Sequence, residues 1–200
     1  MAEAKCGNRE RILEEALKLF YKKGYESVSV QEIADASGIT KPTLYYYFKS
    51  KRGLLDSLLE ETILPYNEAL HVKKGTYETK EIFEETLVQV VQDYIKAAAA
   101  SKESYFLMLT LFYAAEDSES HMAVLPYLKK HLELLCNMLE GAQDYLNLKG
   151  KSVEQIASGF SGFLNMLILV HYSRKKSLDE LANEETAHSI VHQFLNGVYA

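Results

Sequence analysis

Ser29-Val-Gln-Glu-Ile-Ala-Asp-Ala-Ser-Gly-Ile-Thr-Lys-Pro-Thr-Leu-Tyr-Tyr-Tyr-Phe-Lys-Ser-Lys51 is the stretch that decides the fold. It predicts two short helices joined by a turn at Gly38, where a positive φ is cheap. Ser29 and Glu32 have the spacing of a capping box, which marks the start of the first helix. Two short helices around a glycine turn form a helix-turn-helix, so DNA is the first partner to consider.

The second helix of this stretch has two different faces. Thr40 is placed to cap it, and Lys41 and Pro42 fall in its first turn, where proline costs no hydrogen bond. Leu44 and Phe48 are four residues apart and share one face, which predicts that they hold the helix against a core. The opposite face carries a cation, hydroxyls and aromatic rings that a core does not need: Lys41, Thr43, Tyr46 and Tyr47.

The chain resembles the TetR-like transcriptional repressors over residues 9 to 58. The resemblance rests on these segments: Gly24-Tyr25, Val30-Gln31-Glu32-Ile33-Ala34, Ser37-Gly38-Ile39-Thr40-Lys41 and Leu44-Tyr45-Tyr46-Tyr47-Phe48-Lys49-Ser50-Lys51. Arg52 stands where such proteins often have an acidic residue, and Pro42 where a small residue is common. The resemblance implies a DNA-binding set: Ser29, Thr40, Lys41, Pro42, Thr43, Tyr45, Tyr46, Tyr47 and Lys51. We expect Tyr45 and Lys51 to hold phosphate, and Lys41, Thr43 and Tyr46 to reach base edges.

Charge is distributed unevenly along the chain. The net charge is −6 over 200 residues, but residues 1–52 hold ten lysines and arginines against seven acidic residues. The remaining residues hold 12 against 21, so a small basic domain is joined to an acidic one. Cys6 and Cys136 have no CxxC partner, which favours neither a zinc site nor a disulfide framework and fits a reducing cytoplasm. No targeting segment opens the chain, and no membrane partner is expected.

Hydrophobic periodicity predicts an all-α protein of about nine helices. An N-terminal three-helix domain over residues 1–52 contains the helix-turn-helix, and residues 53–200 form a helical effector-binding and dimerisation domain. The fourth helix is capped by Ser50 and joins the two domains until Pro65 breaks or kinks it. The others are expected at about 79–100, 102–115, 122–147, 152–174 and 184–198.

The eighth helix is apolar nearly all round from Phe160 to Leu169, so both of its sides need cover. The resemblance implies that it pairs with the last helix and their symmetry mates in a homodimer interface. The expected interface residues are Ser158, Gly159, Gly162, Phe194 and Leu195. An ordinary core helix is the alternative.

Soft and aromatic residues of the second domain are candidates for a pocket that takes a small lipophilic or aromatic effector. They are Tyr66, Phe83, Tyr94, Phe106, Met108, Phe112, Tyr113, Met138, Phe163 and Met166. Each has an alternative interpretation as plain core. No cofactor is expected.

Three weaker patterns have simpler explanations. Gly159-Phe160-Ser161-Gly162-Phe163 lacks the second glycine of a serine-hydrolase elbow and lies within a helix. His188 and His192 have no further ligand at metal spacing, and the acidic residues around Glu116 fit a solvated loop. The sequence therefore predicts a dimeric, ligand-released repressor of a palindromic operator and not an enzyme. The alternative is a helix-turn-helix activator or architectural DNA-binding protein without a ligand.

Overall fold

The computed structural model describes residues 7–69, 75–146, 148 and 150–197, with the side chains of 64–66, 68 and 69 left out. Within these ranges the chain is all helical, which confirms the predicted fold class. The helices are α1 (Asn8–Lys23), α2 (Val30–Ala36), α3 (Lys41–Phe48), α4 (Lys51–Ala69), α5 (Lys80–Ala100), α6 (Lys102–Phe112), α7 (Glu119–Glu140), α8 (Val153–Ser173), α9 (Asp179–Ala182) and α10 (Glu184–Asn196).

The described residues contain ten α-helices, one more than predicted, because a single turn forms α9 before Asn183 caps α10. A short 3-10 helix at Gln143–Tyr145 replaces the predicted end of α7. Gly141 ends α7 where the backbone of Gly75 passes so closely that a Cβ atom would lie 2.1 Å from its carbonyl oxygen. Pro65 does not break α4, which continues to Ala69, and the alternative expectation of a kink there remains a prediction.

The chain packs as two units. The first contains the described residues up to 65 together with 101–127, so α6 and the first turns of α7 belong with the helix-turn-helix. The second contains residues 66–100 and those from 128 onward. The boundary predicted between residues 52 and 53 does not coincide with the limits of these packing units, and as a division between functions it remains a prediction.

The core of the first unit is made by apolar faces at helical spacing. Ile12, Ala16 and Phe20 of α1 are buried, as their four-residue repeat predicts, and α1 contacts both α2 and α6. Leu54, Leu55, Leu58 and Leu59 bury the matching face of α4. Helices α1 and α4 therefore both contribute an apolar face to the core of the unit that contains the helix-turn-helix.

In the second unit α5 is the central helix, and it contacts α8, α9 and α10. It buries side chains on more than one side, including Phe83, Leu87, Val91 and Ile95. A polar group also lies inside this unit: the Tyr94 hydroxyl donates a hydrogen bond to the Asn165 Oδ1 atom at 3.0 Å, and the His131 ring centre is 5.4 Å from that of Tyr94.

Candidate functional site

The helix-turn-helix is built by local interactions that the sequence predicts. Ser29 caps α2 through a complete capping box, in which its hydroxyl accepts from the Glu32 backbone N–H and the Glu32 carboxylate accepts from the Ser29 backbone N–H. The Lys23 ammonium bonds the same carboxylate and, with the two Ser29 bonds, holds the pKa of Glu32 at about 2. Gly38 adopts φ +61°, so the turn needs a glycine.

Thr40 caps α3 through the backbone N–H of Thr43, and Pro42 lies in the first turn, as predicted. Leu44 and Phe48 are buried and fix one face of the helix. The other face is open: the Tyr46 side chain is 75% exposed, and Tyr45, Tyr47 and Lys41 are exposed beside it. Thr43 is half-buried, and its hydroxyl lies 2.9 Å from that of Thr40. The structure thus brings the predicted α3 residues to one surface, and their contacts with DNA remain predictions.

Lys51, another predicted DNA-binding residue, makes a cation–π contact within the protein. Its Nζ atom lies 4.1 Å from the centre of the Tyr25 ring and donates to the Glu26 carbonyl oxygen at 3.4 Å. Burial lowers the pKa of Lys51. Its ammonium is therefore held in a fixed place beside α3.

Sequence reasoning missed the partners of this lysine within the first unit. The Tyr25 hydroxyl donates to Glu119 Oε2 at 2.5 Å, and the Ser120 hydroxyl donates to Glu26 Oε1 at 2.8 Å. Both bonds join residues 94 positions apart, so no local pattern could reveal them. Gly24-Tyr25 was recognised only as part of the family motif.

The predicted ligand-binding residues are divided between the two units. Phe106, Met108, Phe112 and Tyr113 belong to the first, while Phe83, Tyr94, Met138, Phe163 and Met166 belong to the second. Tyr66 lies outside the described side chains. Phe112, Tyr113 and Met166 are exposed, whereas Phe83, Tyr94, Met108 and Met138 are buried. Their role as a ligand-binding set remains a prediction.

A cavity of about 1150 Å³ opens in the second unit between the ends of α5, α8 and α10. Its wall includes Phe83 and Phe163 from the predicted ligand set, and Gly159, Phe194 and Leu195 from the predicted interface, so the two predicted surfaces overlap here. Lys80 and Lys151 add cations to its lining. The cavity therefore has the mixed character that suits a lipophilic molecule with an anionic group.

One face of α8 is apolar and uncovered on the single protomer. Ser158, Gly159, Gly162 and Met166 are exposed along it, and a Cβ atom added at either glycine would meet nothing within 4 Å. Phe194 and Leu195 of α10 are half-buried, and the Phe194 ring lies 4.6 Å from that of Phe160. Packing within the protomer therefore leaves room for a larger side chain at position 159 or 162.

Among the side chains that the structure describes, no three His, Cys, Asp or Glu groups lie together as a metal site would need. His188 lies 3.9 Å from Glu85 across an exposed pair, and Cys136 is a free thiol. Within the described ranges α8 has the length and apolarity of a membrane span, with 22% of its apolar window buried. An interface helix of a dimer has the same properties, so length and composition alone are weak evidence of a span.

The fold and the exposed α3 face define a class of protein, the helix-turn-helix regulators. Residues 12–58 match the family described as bacterial regulatory proteins, tetR family. Residues 12–58 are therefore similar to the DNA-binding segment of TetR-like transcriptional regulators.

Two curated relatives and one solved structure show how far the likeness extends. The probable HTH-type transcriptional regulator YttP of Bacillus subtilis is 33% identical over 91 residues, which are 46% of this chain and 44% of that protein. The fatty acid metabolism regulator protein of Bacillus subtilis is 27% identical over 153 residues, covering 74% of this chain and 68% of that protein. The match thus spans less than half of the first relative and about two thirds of the second.

The FadR transcriptional regulator of Bacillus subtilis, solved in complex with stearoyl-CoA, has the same fold. Its TM-score is 0.72 at 22% identity, over 94% of this chain and 98% of that one.

Proposed function

We propose that this protein is a homodimeric repressor that binds a palindromic operator through α3 and releases it when a fatty acyl thioester binds. The observation that carries the proposal is the exposed face of α3, where Lys41, Tyr45, Tyr46 and Tyr47 point to solvent while Leu44 and Phe48 anchor the helix. A helix presented in this way fits the major groove of DNA.

The uncovered face of α8 supports the dimer. A helix that is apolar on both sides must be covered on both sides, and exposed glycines let a second helix approach closely. A second copy of the chain offers an identical face, so the contact closes with two-fold symmetry. Two α3 helices related by that symmetry can read two half-sites one helical turn apart.

The effector class is supported by the cavity and by the relatives. The cavity has an apolar wall for an acyl chain, and the Lys151 ammonium suits an anionic head group, while the Lys80 ammonium is ion-paired with Glu84 at 3.2 Å. Two of the proteins similar to this chain are a fatty acid metabolism regulator and a regulator solved with stearoyl-CoA. Helix α4 has residues in both packing units, and a ligand that favours one tilt of it would change the separation of the two α3 helices.

Stearoyl-CoA is the probe that tests this proposal. Duplexes retained by the purified protein from a random pool would give the operator, and stearoyl-CoA would then be titrated with and without it. We expect stearoyl-CoA to weaken operator binding, and the operator to weaken stearoyl-CoA binding by the same factor, because coupling between two sites is reciprocal. Free CoA is the control for the head group alone. Equal affinity of stearoyl-CoA for free and DNA-bound protein would refute the switch, and failure to retain any duplex would refute the repressor itself.

A further inference from the structure

A polar cluster inside the first unit joins the DNA-binding helices to the first turn of α7. Tyr25 and Glu26 lie in the loop between α1 and α2, Arg52 lies in the first turn of α4, and Glu119 and Ser120 begin α7. Tyr25, Glu26 and Arg52 all bond to Glu119 or Ser120 of α7. We call this group the Tyr25–Glu119 cluster.

Tyr25 makes the shortest of these contacts. Its side chain is 3% exposed, and its hydroxyl donates to Glu119 Oε2 at 2.5 Å, which is the length of a charge-assisted O–H···O bond. Burial, reinforced by the bond to the carboxylate, raises the pKa of Tyr25. The hydroxyl therefore stays protonated and remains a donor at physiological pH.

Two further bonds hold the same turn of α7. The Ser120 hydroxyl donates to Glu26 Oε1 at 2.8 Å, and Arg52 Nη1 donates to the Glu119 carbonyl oxygen at 3.4 Å. Arg52 is also fixed by an ion pair between its Nε atom and Asp56 at 2.8 Å. The arginine that departs from the usual family pattern thus has a place in this cluster.

Lys51 lies on the other side of the same loop. Its ammonium is 4.1 Å from the centre of the Tyr25 ring, within the range of a cation–π contact. It also donates to the carbonyl oxygen of Glu26. Tyr25 and Glu26 therefore contact Lys51 and are also hydrogen-bonded to α7.

We propose that Tyr25 and Glu119 are positioning residues for Lys51, so that the first turn of α7 sets the place from which this lysine meets operator phosphate. The inference rests on the proposed function, because it takes Lys51 to be a phosphate contact. If the Tyr25–Glu119 hydrogen bond served stability alone, its loss would not change the contribution of Lys51 to operator binding. If it positions Lys51, its loss must weaken operator binding, and only when Lys51 is present.

The first measurement uses the free protein. Because the Lys51 ammonium lies over the Tyr25 ring, the ring current should shift the NMR signals of the Lys51 ε-methylene group upfield. Glu119→Ala should move those signals toward their unstructured values without altering Tyr25 or Lys51 themselves. Asp117→Ala is the matched control, because it removes an exposed acid two residues away. Unchanged Lys51 signals in Glu119→Ala overturn the proposal.

The second measurement uses operator DNA selected by the wild-type protein. Glu119→Ala and Tyr25→Phe should each weaken operator binding by about three- to tenfold, and neither should weaken it further in a Lys51→Ala background. Tyr145→Phe is the control for losing one tyrosine hydroxyl bond, here to the Tyr77 carbonyl oxygen at 2.9 Å. If Glu119→Ala and Tyr25→Phe weakened operator binding equally in the wild type and in Lys51→Ala, the Tyr25–Glu119 hydrogen bond would have a purely structural role, and the positioning role would be overturned.

The two ways of failing are distinguishable. If wild-type protein retains no duplex, the proposed function fails and the positioning role fails with it. If the wild type binds DNA but Lys51 is insensitive to Glu119, only the positioning role is overturned.

Discussion

The Lys51 ammonium lies 4.1 Å from the centre of the Tyr25 ring, and the hydroxyl of that ring is bonded to Glu119. A lysine that contacts phosphate gains from being held in place beforehand, because less side-chain entropy is lost on binding. The contact therefore connects the recognition surface to α7 through two neighbouring side chains.

Lys51 and Tyr46 should have different effects on DNA binding. Lys51→Ala should weaken binding to all DNA sequences similarly. It should also reduce the slope of log K against log salt concentration by about one, because a phosphate contact releases counterions. Tyr46→Ala should cost about 1–3 kcal/mol on the operator and relax specificity, because Tyr46 is expected at base edges. Fluorescence anisotropy across a salt series measures both. Lys22→Ala, which removes an exposed cation from α1, is the charge control. An equal loss of salt dependence in the Lys51 and Tyr46 variants would contradict their assignment.

Gly162→Leu should split the dimer and leave the protomer folded. A Cβ atom at Gly162 meets nothing within 4 Å in the protomer, so a larger side chain is tolerated there but overpacks a partner helix. Sedimentation should show monomer, with operator affinity falling in parallel. Lys96→Leu adds the same side chain to an exposed position on α5 and should remain dimeric. A Gly162→Leu protein that sediments as a dimer would exclude this face.

Ser29→Ala should lower the free energy of unfolding by about 1 kcal/mol, because the Glu32 backbone N–H at the start of α2 loses the Ser29 hydroxyl as its acceptor. Urea denaturation measures the change. Ser27→Ala, at an exposed neighbouring position, should have little effect. Equal stability of the two variants would mean that the cap contributes nothing.

His131 should make the protein less stable as pH falls from about 6.5 toward 4. Burial lowers the pKa of His131 from 6.5 to about 4, so within that window the unfolded chain binds a proton that the folded chain does not. Relative to His131→Gln, the wild type should lose about 1.4 kcal/mol of unfolding free energy per pH unit there. Urea denaturation of the two proteins at several pH values gives the difference. Parallel curves for the two proteins would show that His131 does not titrate on unfolding.

The sequence by itself determined the helix-turn-helix and its recognition face. The Ser29 and Thr40 caps, the positive φ of Gly38 and the four-residue spacing of Leu44 and Phe48 are all interactions within a few residues. Local chemistry is sufficient to specify such features, and it also separates the buried side of α3 from the side that carries Tyr46. The apolar character of α8 was readable for the same reason.

Only the tertiary structure decided which distant residues meet. Tyr25 and Glu119 are 94 positions apart, and their contact depends on how α1, α4, α6 and α7 pack together. Packing also decided which soft residues line the cavity: Phe83 and Phe163 do, whereas Met166 is 60% exposed on α8. Helical periodicity indicates that a residue has an apolar neighbour but not which one, because the interhelical contacts that select the neighbour are not encoded within a single helix.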